Sequence, residues 1–230
     1  MRILFMHHGP LDVSRPGRLL RSWTQALVEA GHEVRALLVT DHRRPLGPLA
    51  ARTVVCNGSD PTADLPFGVP SFAVEACPPA SIPFGSLDEE QLRAYRDQLR
   101  RYLDAEVDQF DPHVVHAQHV WIGAQLALET GVPYIVSAWS VELAEYDREA
   151  RYRRWVEQAA ENAARVLAED ETLKHRVATT FELSPDQLLT MTDEMLASDQ
   201  PDAIGAPGTA ARQFIEIYQS VLDDRFGKRI

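Results

Sequence analysis

Residues 1–39 read MRILFMHHGPLDVSRPGRLLRSWTQALVEAGHEVRALLV, and this stretch decides the fold. It opens with a short apolar run from Arg2 to Met6. After a polar loop, apolar residues recur at helical spacing: Leu19, Leu20, Trp23, Ala26, Leu27 and Ala30. Gly31 stands where a helix end favours glycine, and Val34 to Val39 follows as a second apolar strand. The stretch therefore predicts a β-α-β unit with two parallel strands and a right-handed crossover.

The rest of the chain continues this alternation. Between Asp41 and Glu90, where eight of the 15 prolines fall, it predicts only brief strands such as Thr53 to Cys56 and Ser71 to Val74. A long helix is then predicted from near Asp88, and it stops before Asp111-Pro112. Three strand-then-helix steps follow: a strand Val114 to Ala117 with a helix from about Val120, a strand Tyr134 to Ala138 with a helix from about Tyr146 to Ala164, and a strand Arg165 to Ala168 with a helix from about Glu171. The last predicted element is an edge strand from Leu188 to Met191. This order predicts an α/β fold with a Rossmann-like, doubly wound, mainly parallel sheet.

The C-terminal region predicts a separate helix. Residues 199–208 carry two prolines and two glycines and are interpreted as a linker, so that residues 1–198 form one domain. Residues 209–230 then form a helix with a single apolar stripe of Phe214, Ile217, Tyr218 and Leu222. Because such a stripe needs a partner surface, we expect the helix to pack back on the domain.

Charge and composition exclude several classes of protein. A net charge of −11 disfavours a nucleic-acid partner, since a polyanion would be repelled. No apolar run approaches the roughly 18 residues of a membrane span, and the first residues do not resemble a signal peptide, so a cytoplasmic protein is expected. Cys56 and Cys77 form no CxxC pair, which argues against a metal site built on thiolates.

Polar side chains follow three of the predicted strands. Ligands of open α/β sheets bind outside the carboxyl ends of the strands. The residues in those positions are His7, His8, His116, His119, Trp139 and Glu142. Pro16-Gly17-Arg18 opens the first helix, where an anion or a sugar hydroxyl could dock, although a plain helix start explains the same residues. For His116, a hydrogen-bonded histidine near the core is as good an interpretation as a ligand-binding one, and no metal ion is expected.

Four segments carry a resemblance to a known family. They are Met1-Arg-Ile-Leu-Phe5 with the Gly17 loop, Leu27-Val-Glu-Ala-Gly-His-Glu-Val34, Asp111-Pro-His-Val-Val-His-Ala-Gln-His119, and Gly131-Val-Pro-Tyr-Ile-Val-Ser-Ala-Trp139. In this order they resemble the N-terminal, acceptor-side half of a family 4 retaining glycosyltransferase with the GT-B fold, in which two Rossmann-like domains face a cleft. The resemblance implies that Gly17 and Arg18 face phosphates or acceptor, that His116 and His119 line an acceptor pocket, and that Trp139 offers a platform for a sugar ring.

The sequence departs from the family at two places. After Leu188-Leu-Thr-Met191, where the family continues into its nucleotide-sugar domain, this chain reads Thr192-Asp-Glu-Met and soon reaches its last helix. The resemblance therefore implies that the C-terminal donor-binding domain is lacking. A histidine-glycine pair of the family is replaced by Trp139-Ser140, with Glu142 two residues beyond. Indole cannot accept a proton, so the role of that histidine is expected to be lost or moved.

The leading hypothesis is the acceptor-binding subunit of a two-component, or split, glycosyltransferase. A hexosyltransferase of this type would move a sugar from a nucleotide sugar to a small-molecule or glycan acceptor, would need a donor-domain partner or a homo-oligomer, and would be inactive alone. No cofactor and no catalytic residue is assigned. The main alternative is a non-catalytic binding or scaffolding protein that kept the fold. A stand-alone enzyme that uses the strand-end residues for hydrolysis or isomerisation, with or without a metal, is the last alternative.

Overall fold

The computed structural model describes residues 1–43, 46, 49–73, 80–197 and 207–227. Cys77 and most of the predicted linker 199–208 lie outside these residues. The elements in chain order are β1 (Arg2–His7), α1 (Arg15–Glu29), β2 (Glu33–Thr40), β3 (Ala50–Val55), β4 (Pro70–Ser71), β5 (Ile82–Pro83), α2 (Glu89–Phe110), β6 (Val114–Gln118), α3 (Ile122–Thr130), β7 (Tyr134–Ala138), α4 (Ser140–Arg148), α5 (Arg153–Glu161), β8 (Arg165–Ala168), α6 (Glu171–Phe181), β9 (Leu188–Thr190), α7 (Asp193–Ala197) and α8 (Pro207–Phe226).

Within the described residues, seven strands form one parallel sheet in the order β3-β2-β1-β6-β7-β8-β9. The predicted doubly wound α/β fold is thereby confirmed. The chain winds outward from β1 in one direction to β3 and from β6 in the other direction to β9, so the order reverses between β1 and β6. This reversal opens a crevice at the carboxyl ends of these two strands, where ligands of such sheets bind. No helix in the described part of the chain is long and apolar enough to cross a membrane.

Local signals explain where the first two long helices begin and end. The hydroxyl of Ser14 accepts a hydrogen bond from the Gly17 N–H and caps α1, and Gly31 adopts a φ of 83° just after it, as the sequence predicts. Asp88 and Gln91 form a capping box at the start of α2. That helix ends at Phe110, and its C-cap Asp111 directly precedes Pro112, as expected from the restriction that proline imposes.

The helix predicted over residues 146–164 is wrong in its bounds. α4 already begins at Ser140, and a short 3-10 turn over Ala150–Tyr152 separates it from α5. The early start arises because the carboxylate of Glu142, in the first turn, accepts a hydrogen bond from the Trp139 N–H at 2.6 Å. Tryptophan is not a residue that marks a helix N-cap in sequence, so this start carried no signal.

Two smaller differences concern the connecting segments. The predicted strand from Ser71 to Val74 is instead the two-residue strand β4, which pairs with β5 in a small parallel sheet of its own, and Val74 lies outside the described residues. The short helix α7 was not predicted, because five residues are too few to show helical periodicity.

Apolar side chains fill both faces of the large sheet. Alternation along β1 directs Leu4 and Met6 into the core under α2, α3 and α5, whereas Ile3 and Phe5 enter the core under α1, α7 and α8. The last helix α8 contributes a stripe of buried residues to this second core: Ala211, Phe214, Tyr218 and Val221. Ile217 packs against it half-buried, and Val221 takes the buried position that the sequence pattern had given to Leu222.

Contacts of α8 reach across the domain. The Phe214 ring lies 4.8 Å from the Trp23 ring of α1, and the Tyr218 hydroxyl lies 2.8 Å from His116 Nδ1 on β6. At the surface, Arg165 at the start of β8 pairs with Asp224 at 2.6 Å. The helix therefore packs on the domain as an integral layer of its second core.

The packing of α8 predicts a large stability effect at one position. Phe214→Ala should lower the free energy of unfolding by about 3–5 kcal/mol, because it leaves a cavity beside Trp23. Glu216→Ala, at an exposed position on the same helix, is the matched control and should change it by less than about 0.5 kcal/mol. Urea unfolding followed by circular dichroism measures both. Equal stability of the two variants would contradict the packing described.

Candidate functional site

Four of the predicted site residues come together at the carboxyl edge of the sheet. His7 and His8 leave β1, His119 leaves β6, and Glu142 enters from the first turn of α4 after β7. The His7 and His119 rings stack with centroids 5.6 Å apart, and the His8 ring lies 6.4 Å from that of His119. This group, which we call the histidine cluster, occupies the crevice where the strand order reverses.

His119 and Glu142 form a buried pair at the centre of the cluster. His119 Nδ1 lies 3.1 Å from Glu142 Oε2, and neither residue has any exposed surface. The other carboxylate oxygen accepts the N–H groups of Trp139 at 2.6 Å and Val120 at 3.4 Å. A carboxylate oxygen accepts in a hydrogen bond, so His119 Nδ1 is the donor to Glu142, and this bond fixes the orientation of the ring.

The backbone at His119 is strained. His119 has a φ of 76°, in the left-handed region that side chains other than glycine rarely adopt. Its N–H donates to the Ser137 carbonyl at 2.9 Å, which continues the pairing of β6 with β7 for one residue beyond the strand. Strain of this kind persists only where the surroundings over-determine it, and such positions cluster at functional sites.

His8 is held by two hydrogen bonds of defined direction. The Gly123 N–H, in the first turn of α3, donates to His8 Nε2 at 3.1 Å, so this nitrogen is the acceptor. His8 Nδ1 must then carry the proton and donates to the Tyr95 hydroxyl at 2.6 Å. Burial and the nearby His119 lower the pKa of His8 to about 3, so the ring stays neutral.

His7 fills the space between His119 and the start of α1. A Cβ atom on Gly17 would lie 3.1 Å from His7 Nε2 and 2.7 Å from the Pro10 carbonyl, so only glycine allows this approach. Neither ring nitrogen of His7 has a hydrogen-bond partner among the described residues, even though the residue is almost fully buried, at 3% exposed. Burial, His119 and His8 hold the pKa of His7 well below its ordinary value. A buried polar group without a partner is a place where a water or a ligand atom is expected.

Gly17 and Arg18 do not form the open anion site that the sequence suggested. The Gly17 N–H is already bonded to the Ser14 hydroxyl, and Pro16 has no N–H to offer. The exposed side chain of Arg18 donates to the Val13 carbonyl at 3.3 Å. The alternative interpretation, a plain helix start, fits the structure better. Gly17 has no Cβ and therefore leaves room for the His7 ring.

His116 was expected in the same pocket, and this expectation is wrong. Its side chain points to the opposite face of the sheet, where Nδ1 bonds to the Tyr218 hydroxyl and Nε2 to the Ser137 hydroxyl, each at 2.8 Å. The ring stacks on Trp23. Side chains alternate along a strand, so His116 lies on the face opposite its neighbours Val115 and Ala117. It is a core histidine, and burial lowers its pKa to about 3.

Trp139 also differs from its expected role as a sugar platform. It is 3% exposed and packs in the core under α1 and α8. Its Nε1 donates to Gln118 Oε1 at 2.9 Å, which satisfies the only polar atom of the indole. The histidine cluster is likewise buried.

Two phenylalanines account for this burial. The Phe72 ring lies 4.8 Å from the His119 ring, and the Phe84 ring lies 5.7 Å edge-on from the His8 ring. Sequence reasoning missed both, together with Tyr95, because none follows a strand of the large sheet. Among the described residues, no group of three His, Cys, Asp or Glu side chains is placed to hold a metal ion. The geometry instead suits hydrogen bonding to a hydroxyl, or proton transfer from it, by a carboxylate-oriented imidazole.

Comparison with known families agrees with the fold. Residues 16–191 match the family described as the glycosyl transferase 4-like domain. The chain belongs to this family. No curated protein matches the sequence of this glycosyl transferase 4-like chain significantly.

Solved structures similar to this glycosyl transferase 4-like chain include enzymes of sugar metabolism. A sucrose-phosphate synthase structure from Thermosynechococcus elongatus has a TM-score of 0.54 and 17% identity over 96% of this chain and 99% of that one. A UDP-GlcNAc 2-epimerase from Neisseria meningitidis bound to UDP-GlcNAc has a TM-score of 0.53 and 12% identity over 98% and 54%. WaaG, a glycosyltransferase involved in lipopolysaccharide biosynthesis, has a TM-score of 0.50 and 11% identity over 87% and 48%. The chain thus spans about half the length of the last two, and these likenesses confirm the GT-B type of Rossmann-like fold.

The buried histidines predict a loss of stability in acid. Histidines 8 and 116 have folded pKa values of about 3, against about 6.5 in an unfolded chain, so below pH 6.5 the unfolded state binds protons that the folded state excludes. Each should therefore lower the free energy of unfolding by about 1.4 kcal/mol per pH unit as the pH falls from about 6 toward 3. His116→Gln should remove one such contribution, measured by urea unfolding at several pH values.

The exposed His175 provides the control for this measurement. His175→Gln should leave the pH dependence of the unfolding free energy unchanged. If His116→Gln gives the same slope as the unsubstituted chain, then His116 is protonated in the folded state and the description of it as a neutral core residue is wrong.

Proposed function

We propose that this chain is the acceptor-binding subunit of a glycosyltransferase whose nucleotide-sugar site is completed by a second chain. The observation that carries the proposal is the His119–Glu142 pair, which lies at the crevice of a glycosyl transferase 4-like domain. In this arrangement the partner stabilises the leaving nucleotide diphosphate, while this chain orients the acceptor.

The roles of the residues follow from their positions. His119, fixed by Glu142, is placed to accept a hydrogen bond or a proton from the hydroxyl of a sugar or another small acceptor. His7 has nitrogens without partners beside it and offers a further hydrogen bond. Arg18 is exposed at the start of α1 and is the charged group that remains for a phosphate. His116 and Trp139 support the fold from the other face and have no role in binding.

A second candidate function is a non-catalytic binding or scaffolding protein of the same family. The complete burial of His119 and Glu142 favours it, because a ligand cannot reach them in the closed structure. Buried polar networks with satisfied hydrogen bonds also rigidify and specify a fold without taking part in chemistry. The two functions differ in whether His119 affects turnover or only stability.

The first experiment measures nucleotide-sugar binding by the purified chain. UDP-GlcNAc is the first ligand to test, because it is the ligand bound in a similar solved structure. Calorimetry should show a dissociation constant no tighter than about 1 mM, since the proposal assigns the contacts to the nucleotide sugar to the second chain. Micromolar binding would contradict the proposal that a second chain is needed for the nucleotide-sugar site, because this chain would then bind a donor by itself.

The second experiment uses the complex in which the chain occurs. We expect affinity purification from the native host to yield a nucleotide-sugar-binding protein in a fixed ratio, and a homo-oligomer without such a protein would contradict the split enzyme. In the active complex, His119→Gln should lower turnover about 100-fold while the complex still assembles. His175→Gln is the control and should leave turnover unchanged. Normal turnover of a folded His119→Gln complex would favour the scaffolding function.

A further inference from the structure

The histidine cluster is closed by an aromatic cover whose two halves are held very differently. We define the cover as the side chains of Phe72 and Phe84, whose rings lie 5.1 Å apart. Phe72 lies over His119 and Phe84 lies edge-on to His8. Both are fully or almost fully buried and pack directly against the cluster. His119 is itself fully buried, so a ligand reaches it only if packed side chains such as these move.

Phe84 is firmly anchored. Its carbonyl accepts hydrogen bonds from the Tyr152 hydroxyl at 2.7 Å and from the Arg151 guanidinium at 2.6 Å. The same guanidinium donates to the Leu87 carbonyl at 2.6 Å. The Phe84 ring also packs against the rings of Trp121 and Tyr95. These contacts fix Phe84 to the 3-10 turn between α4 and α5 and to the core.

Phe72 is held by its ring, which packs against Trp121 as well as Phe84, whereas its backbone has weaker support. It follows β4, a strand of two residues that pairs with the equally short β5. Pro70 and Pro83 lie in these strands and have no N–H to donate, so the small sheet has few backbone hydrogen bonds among the residues that the structure describes. The Ile82 N–H donates to the Val69 carbonyl at 3.0 Å. Segments with few backbone hydrogen bonds open at low free energy, which makes Phe72 the movable half of the cover.

One buried carboxylate joins the two halves. Glu145 Oε2 accepts the Ala73 N–H at 3.3 Å, next to Phe72, and Glu145 Oε1 accepts the Gly85 N–H at 3.2 Å, next to Phe84. Glu145 is 2% exposed, and its charge is balanced by Arg148 at 2.7 Å. It lies one helical turn after Glu142 on α4, so the same helix holds His119 and the cover above it.

We propose that Phe72 is a gate over His119 and that Glu145 is the latch that keeps it closed. Release of the Ala73 N–H from Glu145 lets Phe72 leave Phe84, which opens the histidine cluster to a ligand while Phe84 stays in place. The proposal concerns access to the cluster and does not depend on the chain being part of a transferase.

Chemical modification of histidines tests the gate without knowledge of the ligand. Diethyl pyrocarbonate modifies neutral imidazoles that solvent reaches, and tandem mass spectrometry resolves the rate at each histidine. Glu145→Gln removes the charge of the latch, so the rate at His119 should rise about tenfold, because hydrogen bonds to charged groups are the stronger ones. The rate at His116, on the other face of the sheet, should stay unchanged.

A matched variant and a second variant complete the test. Glu106→Gln changes another buried carboxylate, which pairs with Arg35 and Arg52 away from the cluster, and should not affect His119. Phe72→Ala removes the gate itself and should raise the rate at His119 whether or not Glu145→Gln folds well. An unchanged rate at His119 in folded Phe72→Ala would overturn the proposal. So would a parallel rise at His119 and His116, because the whole domain would then open together.

Discussion

The buried carboxylate of Glu142 is the constraint on which the site depends. It has no exposed surface and must therefore find hydrogen-bond donors within the protein. The donors come from three places: the Trp139 N–H after β7, the Val120 N–H after β6 and the His119 ring. The hydrogen bonds to these three donors fix the start of α4 and the path of the chain beyond both strands. They accompany the positive φ of His119. The geometry of the crevice is in this sense dictated by one charge.

The fold could be predicted from the sequence because it rests on periodicity that many residues share. Apolar runs of four to six residues alternate with helical stripes, and Gly31 and Asp111-Pro112 mark helix ends that the structure reproduces. The start of α4 could not be predicted, because its decisive interaction joins a side chain to the backbone of a tryptophan. Phe72 and Tyr95 were out of reach for a related reason, since they approach the cluster from segments distant in the chain.

The candidate site could be predicted in part, and the errors follow a rule. His7 ends β1, His8 follows it, and His119 and Glu142 lie beyond β6 and β7, so all four reach one edge of the sheet, as expected for parallel strands. His116 is different because it lies within β6, where alternation sends its side chain to the face under α1 and α8. Val114 and His116 share one face of the strand, and Val115 and Ala117 share the other. This alternation alone predicts that the His116 side chain points away from the crevice. Trp139 follows β7, yet its large apolar ring gains more from burial than from exposure.

The two faces of the sheet differ in how completely their buried polar groups are hydrogen-bonded. On one face, His116 bonds to Tyr218 and Ser137, and the apolar stripe of α8 covers it, so its role is complete within the fold. On the crevice side, His7 keeps two nitrogens without partners among the described residues, and Glu145 accepts the Ala73 N–H next to Phe72. A protein selected for stability alone would satisfy or replace such groups, because an unpaired buried polar atom costs about 1–3 kcal/mol. The crevice face is therefore the one to which the proposed ligand binding is assigned, and Phe72 and Phe84 pack over it.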